Sequence, residues 1–562
     1  MSLRHRSHRV IYVPLDNRPC NARFPRLLAR MVDFELIMPS LDMLGEGRQP
    51  AQPDRIAQWL IEPKGRIDAA IISLDMLAYG GLVPSRTMRT SPETALERLD
   101  VLAKLREQLG EAAVYAFNAI MRLSITADSP QAGQYWEPMR QYSELRYRLE
   151  KLGHDELSEK VRELEQQIPR EIVNDFEAAR ERNHRVNLRA IDETAAHNID
   201  FIALTQEDAA EHGPHVDEQE RLLDRIVSRN IEDRAMIYPG TDEAGMTLVA
   251  RFIHRHMLKT SSVRVFYSSE EGAGRIAVFE DRPLRETVEA HIAAVGAQLT
   301  DSDDADVLLA VSTPAEGARE DYERGAARDR RRREVRGLLE AVVEVSPLRV
   351  VLADLAFPNG ADEALMRELR HSKLQLHRLL SFGAWNTAGN SVGSALAHGT
   401  LRLIALQDKG AFDLAQLLAN ISPMRYLELL NSVIDSERAH VEFLFGRFVD
   451  DWLYQTRVRP QVTERVVSLL EASVFDLSGS YRQTERMVAQ ELSAGAGDLW
   501  TDHFLARETV QIGIEQSRSS LVLDALEDTR VTLPWRRLFE VDLDFQFGLE
   551  LVPEGGESRR KA

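Results

Sequence analysis

Carboxylates, carboxamides and arginines recur in this sequence at one kind of place, the end of a short apolar run. "VPLDNRP" carries Asp16, Asn17 and Arg18, "ISLDMLAYGG" carries Asp75 and Tyr79, and "YAFNAIMR" carries Asn118 and Arg122. "LTQED" ends on Glu207 and Asp208, "YPGTDE" on Asp242 and Glu243, "LADLAFPNG" on Asp354 and Asn359, and "LLSFGAWN" on Trp385 and Asn386. One such ending is an ordinary turn or helix cap. Seven of them at equivalent positions exceed what turns and caps require and mark the strand ends as the place of the chemistry, with one shared cleft for the two domains left open. Neighbouring carboxylates repel, so one of Glu207 and Asp208 is expected to hold its proton near neutral pH and act as a general acid. Asp208 takes that role, with Glu207 or Asp242 orienting the substrate or stabilising charge. Carboxylate pairs of this kind cleave glycosidic bonds. Asp16, Asn17, Arg18, Asp75, Tyr79, Asn118, Arg122 and Glu243 are the expected substrate-binding groups; the planar fork of Arg18 suits a carboxylate, a phosphate or a sugar hydroxyl.

The stretch "AWNTAGNSVGSALAHG" divides into two parts. Trp385, Asn386, Thr387 and Asn390 form a ligand-facing lip, with an indole to stack on a ring and amides to bond hydroxyls. Gly393, Ala395 and Ala397 are small so that a helix can lie close to a sheet. An alternative chemistry uses Asp208, His212 and His215 as ligands of a hydrolytic metal ion. The glycines of "YGG" permit close approach of a ligand, but neither a dinucleotide nor a P-loop fingerprint accompanies them, so no cofactor is expected. Cys20 has no histidine near it in sequence and is a poor nucleophile.

These endings must be held by repeated units of strand and helix. Six apolar runs, each followed by a helical stretch, predict a barrel-like or large parallel β/α domain over residues 1–261. A charged, helically periodic segment at about residues 141–193 reads as a helical insertion after the fourth strand, serving as a lid or a dimerisation surface. Residues 262–400 predict a second, open α/β domain with strands at "VRVFYSS", "RIAVFEDRP", "ADVLLAVST", "LRVVLADLAF" and "LLSFGAW". Residues 401–562 read as mainly helical, ending in paired strands at "VTLPWRRLFEVDLDFQFGLEL". This last region carries no evident chemistry and is expected to cover a sheet.

The 562 residues exceed one ordinary core. A formal charge of −19 opposes binding to a phosphate backbone, so no nucleic-acid partner is expected. One cysteine excludes an intrachain disulfide, and no run is apolar enough for a secretion signal or a membrane span. The expectation is a cytoplasmic protein, away from membranes, acting on a small molecule such as a sugar, with homo-oligomerisation left open.

Taken in order, "YVPLDNRPCN", "SLDMLAYGGLVPSR", "LTQEDA", "YPGTDE" and "AWNTAGNSVGSALA", with the closing "LPWRRLFEV", resemble a bacterial family known only as a conserved domain of unknown function. The likeness covers essentially the whole chain and implies no activity. The family pattern carries two aspartates and then Pro-Tyr-Gly at the fifth strand; this chain has Glu207-Asp208 and then Ala209-Ala210-Glu211-His212-Gly213. A shorter likeness is to barrel hexosaminidases, where two consecutive acidic residues work with the substrate's own acetamido group. It implies Trp385 and Asn386 as sugar-holding residues.

Overall fold

The computed structural model describes residues 8–47, 49–127, 129–314, 319, 325–409, 423–470, 473–512 and 519–553. Six strands form the first sheet: β1 (His8–Val13), β2 (Phe34–Ile37), β3 (Ala69–Ser73), β4 (Ala113–Ile120), β5 (Phe201–Gln206) and β6 (Ala235–Pro239). All pairs are parallel, in the order β2-β1-β3-β4-β5-β6. Alternate residues of each strand enter different cores. Val10, Tyr12, Tyr115 and Phe117 pack with Leu28, Leu248 and Phe252 of helices Pro19–Met31 and Ala244–His256. Ile11, Val13, Val114 and Ala116 pack on the opposite face with Ile56, Leu102, Ile191 and Leu222. Burial on both faces is why these strands read as continuous apolar runs.

The sheet is open. β2 and β6 are its edges and do not pair, so of the two expected forms the large parallel sheet is present and the barrel is not. The chain reverses direction of growth at β1, which β2 flanks on one side and β3 on the other; this is the doubly wound arrangement.

The second sheet contains β7 (Ser262–Tyr267), β8 (Gln298–Leu299), β9 (Val307–Ser312), β10 (Val350–Asp354) and β11 (Ser381–Gly383), in the order β11-β10-β9-β7-β8. Numbered from its own first strand, this is 2-1-3-4-5, the same winding as the first sheet. The expected strand at "RIAVFEDRP" is instead a loop, closed by a bridge between Ile276 and Pro283, and the short β8 follows it. Its apolar character has another cause: Ala277 and Glu280 are buried, while Phe279 adopts a left-handed φ of 71°. Helix Ala388–Lys409 lies between the sheets, sharing a core with both through Val392, Leu396 and Leu401. A Cβ on Gly389 would meet the Pro239 carbonyl at 3.0 Å, and one on Gly393 would meet Glu243 Cγ at 2.4 Å. The small residues therefore serve contact with the first sheet as well as the second.

The connection from β4 to β5 is helical from Pro130 to Ala195, beginning earlier than its charge pattern suggests. Met139, Tyr142, Val161, Leu164 and Phe176 give it a separate core. The end of its last helix, through Val186, Ala190 and Ile191, packs on the first sheet as a crossover. Helix Pro423–Arg447 continues as a π-helix, Phe448–Val458, and then as helix Arg459–Leu470. Strands β12 (Glu508–Ile512), β13 (Ser519–Thr532) and β14 (Asp542–Pro553) form an antiparallel sheet, so the expected terminal pair is present and gains a third strand and an earlier start. No helix among the described residues is long and apolar enough to cross a membrane.

Candidate functional site

The carboxyl ends of both parallel sheets open on one cavity of about 360 Å³. From the first sheet come Arg18, Arg86, Arg122, Glu207, Asp208 and Asp242; from the second come Phe279, Asn359, Asn386, Thr387 and Asn390. β1 and β6 are four strand positions apart, about 19 Å at ordinary strand spacing. The loop after β6 folds back over the sheet so that Asp242 reaches Arg18.

Asp16 forms the turn that aims Arg18. Its Oδ1 accepts from the Arg18 backbone N–H and from Asn21 Nδ2, both at 3.0 Å, and its Oδ2 accepts from Arg18 Nε at 2.9 Å. Arg18 Nη1 and Nη2 then grip the two oxygens of Asp242. Glu540 stands 3.5 Å from the same guanidinium. One cation thus serves two buried carboxylates, Asp16 and Asp242, while Glu540 also pairs with Arg537. Burial raises the Asp242 pKa; Arg18 opposes that rise and neighbouring Asp16 adds to it. Asn386 Nδ2 donates to Asp242 Oδ2 at 3.3 Å, and Asn390 Oδ1 accepts from the Asp242 N–H at 3.1 Å. Asn386 has a φ of 53°, a conformation asparagine tolerates better than most residues. Its carbonyl accepts from the Asn359 N–H at 2.9 Å, tying the ends of β10 and β11 together.

Glu207 and Asp208 do not face one another unscreened. Glu207 Oε1 pairs with Arg86, Asp208 Oδ2 pairs with Arg122, and Arg122 Nη1 lies 3.8 Å from Glu207. The repulsion on which Asp208 was expected to rely is divided between two guanidinium groups. Glu207 Oε2 is buried with no protein partner. Burial and the nearby Arg86 charge lower the Arg122 pKa to about 10.

Several expected binding residues lie beneath or beside the cavity rather than on its wall. Asp75 begins a helix directly at the end of β3 and turns inward; its Oδ2 accepts from the Ala119 N–H at 2.8 Å, and burial raises its pKa to about 7. Tyr79 packs under the Arg182 guanidinium, and Asn118 donates to Asn187 Oδ1 at 2.6 Å. Glu243 is fully buried, accepting from the Thr241 N–H and lying 3.2 Å from His291 Nε2. Asn17 Oδ1 accepts from Trp535 Nε1 outside the cavity. Trp385 donates to Ser394 Oγ at 2.9 Å and borders a small side recess, so its ring does not form the expected stacking wall.

The metal alternative lacks its cluster. Among the described residues no three His, Cys, Asp or Glu side chains are grouped to hold an ion. Asp208 is paired with Arg122, and His215 is buried in the first turn of helix Pro214–Ser228, where burial and Arg180 lower its pKa to about 4. Neither His212 nor His215 lines the cavity. The Cys20 thiol is buried and its pKa raised, as befits an inert side chain.

Other wall residues carried little sequence signal. Trp136, from the helical insertion, meets Phe279 edge to face at 6.3 Å, so the insertion does form part of the enclosure. The turn between β13 and β14 supplies Trp535, Arg537, Leu538 and Phe539, and helix Arg459–Leu470 supplies Arg459. Arg18 and Arg537 lie over the Trp535 ring, at 5.0 and 4.6 Å from its centroid. The terminal strands therefore do more than cover a sheet. A pointer was present in "LPWRRLF", too long and too rich in arginine and aromatic rings for a tight hairpin turn. Glu280 was also missed: it accepts from the Gly389 N–H at 2.8 Å, and burial raises its pKa to about 8.

No curated protein matches the sequence. A family model described as "Protein of unknown function (DUF4127)" matches residues 10–544, and the chain belongs to that family.

Proposed function

We propose that the cavity is the active site of a hydrolase for a small polar substrate, with a glycosidic bond as the best-fitting target. The observation that carries this reading is the meeting of Asp242 and Glu207, from adjacent strand ends, in a cavity of about 360 Å³ walled by Trp136 and Trp535. That volume suits a small ligand, and the indoles suit the face of a sugar ring. Asp242, whose proton is held more tightly than an ordinary carboxyl's, is the general acid in place of Asp208. It gives that proton to the leaving oxygen as the glycosidic bond breaks. Glu207, on the cavity wall, takes a proton from the attacking water. Asn386 and Arg18 hold Asp242 in place, and Asp208 balances Arg122.

The test is hydrolysis of a panel of aryl glycosides by the full chain and by Asp242→Asn and Glu207→Gln. Turnover by the wild type, lost in both variants, supports the assignment. Turnover that persists in Asp242→Asn overturns it. A second reading is a noncatalytic metabolite-binding protein, favoured by the position of the cavity between two α/β sheets. A ligand retained through purification and released unchanged after prolonged incubation selects that reading.

A further inference from the structure

Guanidinium groups are unusually dense around this cavity for a chain of formal charge −19. Arg18, Arg86, Arg122, Arg459 and Arg537 line it, against Glu207, Asp208 and Asp242. Asp16 and Glu540 stand behind, held by Arg18 and Arg537. Numbers balance, but positions do not. Arg459 donates from Nη1 to the neutral Gln455 at 2.6 Å and lies over the Phe539 ring, and no carboxylate among the described residues is within 4 Å of it. A guanidinium on a cavity wall with no carboxylate partner keeps its charge available to a ligand.

We infer that the substrate of this site carries an oxyanion, a carboxylate or a phosphate, held by Arg459 together with Arg122 and Arg86. The inference rests on the hydrolase reading for one count only: when Asp242 keeps its proton, the ten charged groups around the cavity sum to one surplus positive charge, which an anionic ligand cancels. Arginine is suited to this duty because its planar fork bonds two oxygens of a carboxylate or phosphate at once. The aromatic wall of Trp136, Phe279 and Trp535 receives the uncharged body of the same ligand. A sugar acid or a sugar phosphate satisfies both walls, whereas a neutral glycoside leaves the guanidinium donors bare.

Calorimetric titration of the full chain with D-glucuronate, glucose 6-phosphate and the uncharged methyl glucoside tests this. At least one acid is expected to bind ten times or more tightly than the methyl glucoside, a difference of about 1.4 kcal/mol. The tighter of the two identifies the oxyanion as carboxylate or phosphate. Arg459→Gln, at a half-buried position, is expected to weaken that acid about tenfold while thermal unfolding stays unchanged. Arg122→Lys, which keeps the charge and removes the fork, is the second variant and is expected to weaken it in the same direction. Equal affinity for the methyl glucoside, no binding of either acid, or acid affinity unmoved in both variants overturns the inference. Two wild-type outcomes separate the readings: acid binding with no hydrolysis sinks the hydrolase alone, and efficient hydrolysis of neutral glycosides without binding of either acid sinks the anion alone.

Discussion

The two parallel sheets share one winding and put their carboxyl ends to different uses. In the first sheet, charged side chains emerge from the strand ends into the cavity: Arg18, Arg122, Glu207, Asp208 and Asp242. In the second, the charge stays inside. Asp354, at the end of β10, accepts from Ser312 Oγ at 2.8 Å and from the Asp362 N–H at 2.6 Å, with Arg331 3.9 Å away. Arg331 bonds Asp362 at 2.8 Å, and the whole cluster is buried. What that sheet offers the cavity is Asn359, Asn386, Thr387 and Asn390, which carry no charge. The same topology thus puts the ionisable groups of the cavity on one side and uncharged groups on the other.

The sharpest break of this comparison is Asp242→Asn. Turnover is expected to fall by about 100- to 10,000-fold, the usual worth of a general acid. In the proposed mechanism the acidic form of Asp242 is the active one and its pKa is raised, so kcat in the wild type is expected to decline as pH rises through that pKa. A rate that climbs with pH over the same range would assign Asp242 as a base. On the second sheet, Arg331→Met is expected to lower unfolding free energy by about 3–5 kcal/mol in urea titration, since it strands buried carboxylates. Its KM is expected to stay near wild type, and a large KM change would mean that this cluster shapes the site.

Asn386→Ala comes next. The bond from Asn386 positions a protonated, uncharged carboxyl and is worth about 0.5–1.5 kcal/mol, so kcat/KM is expected to fall by roughly two- to tenfold, less than for Asp242→Asn. The reverse ranking would move the chemistry to the second sheet. The last concerns Glu280, which joins the two regions through Gly389. Its pKa is about 8 in the fold against an ordinary 4.5, so the native state keeps a proton that the unfolded chain loses between those values. That contribution to stability is full below about pH 4.5 and falls as pH rises to about 8. Glu280→Gln is expected to flatten the pH dependence of unfolding over that window; an unchanged slope would place the proton elsewhere.

The alternation of strand and helix was legible because parallel strands buried on both faces leave long apolar runs. The closure of the first sheet was not, since runs carry no record of which strand neighbours which. The place of Arg18, Asp242, Asn386 and Asn390 at strand ends was legible, but their meeting in one cavity was not, since the sequence does not set how one sheet faces the other. Depth did not follow: Asp75 and Asn118 also end strands, yet a helix begun at Leu74 and the partner Asn187 hold them below the floor. The loop at Phe279 looked like a strand because a residue facing a cavity is as apolar as one facing a sheet. Trp535 and Arg537 were hidden in an alternation that continued on either side of them.

The turn between β13 and β14 has a consequence for biosynthesis. Both sheets are complete in sequence once Gly383 has been made, but Trp535, Arg537 and Glu540 enter the site some 150 residues later. A nascent chain ending at Gly383 has the strands of both sheets but lacks Glu540, the aromatic wall and the residues Phe445, Trp500 and Phe545 that bury one face of the second sheet. The cavity is assembled only after the terminal hairpin has left the ribosome, so an interrupted chain holds the carboxylates of the site without its enclosure.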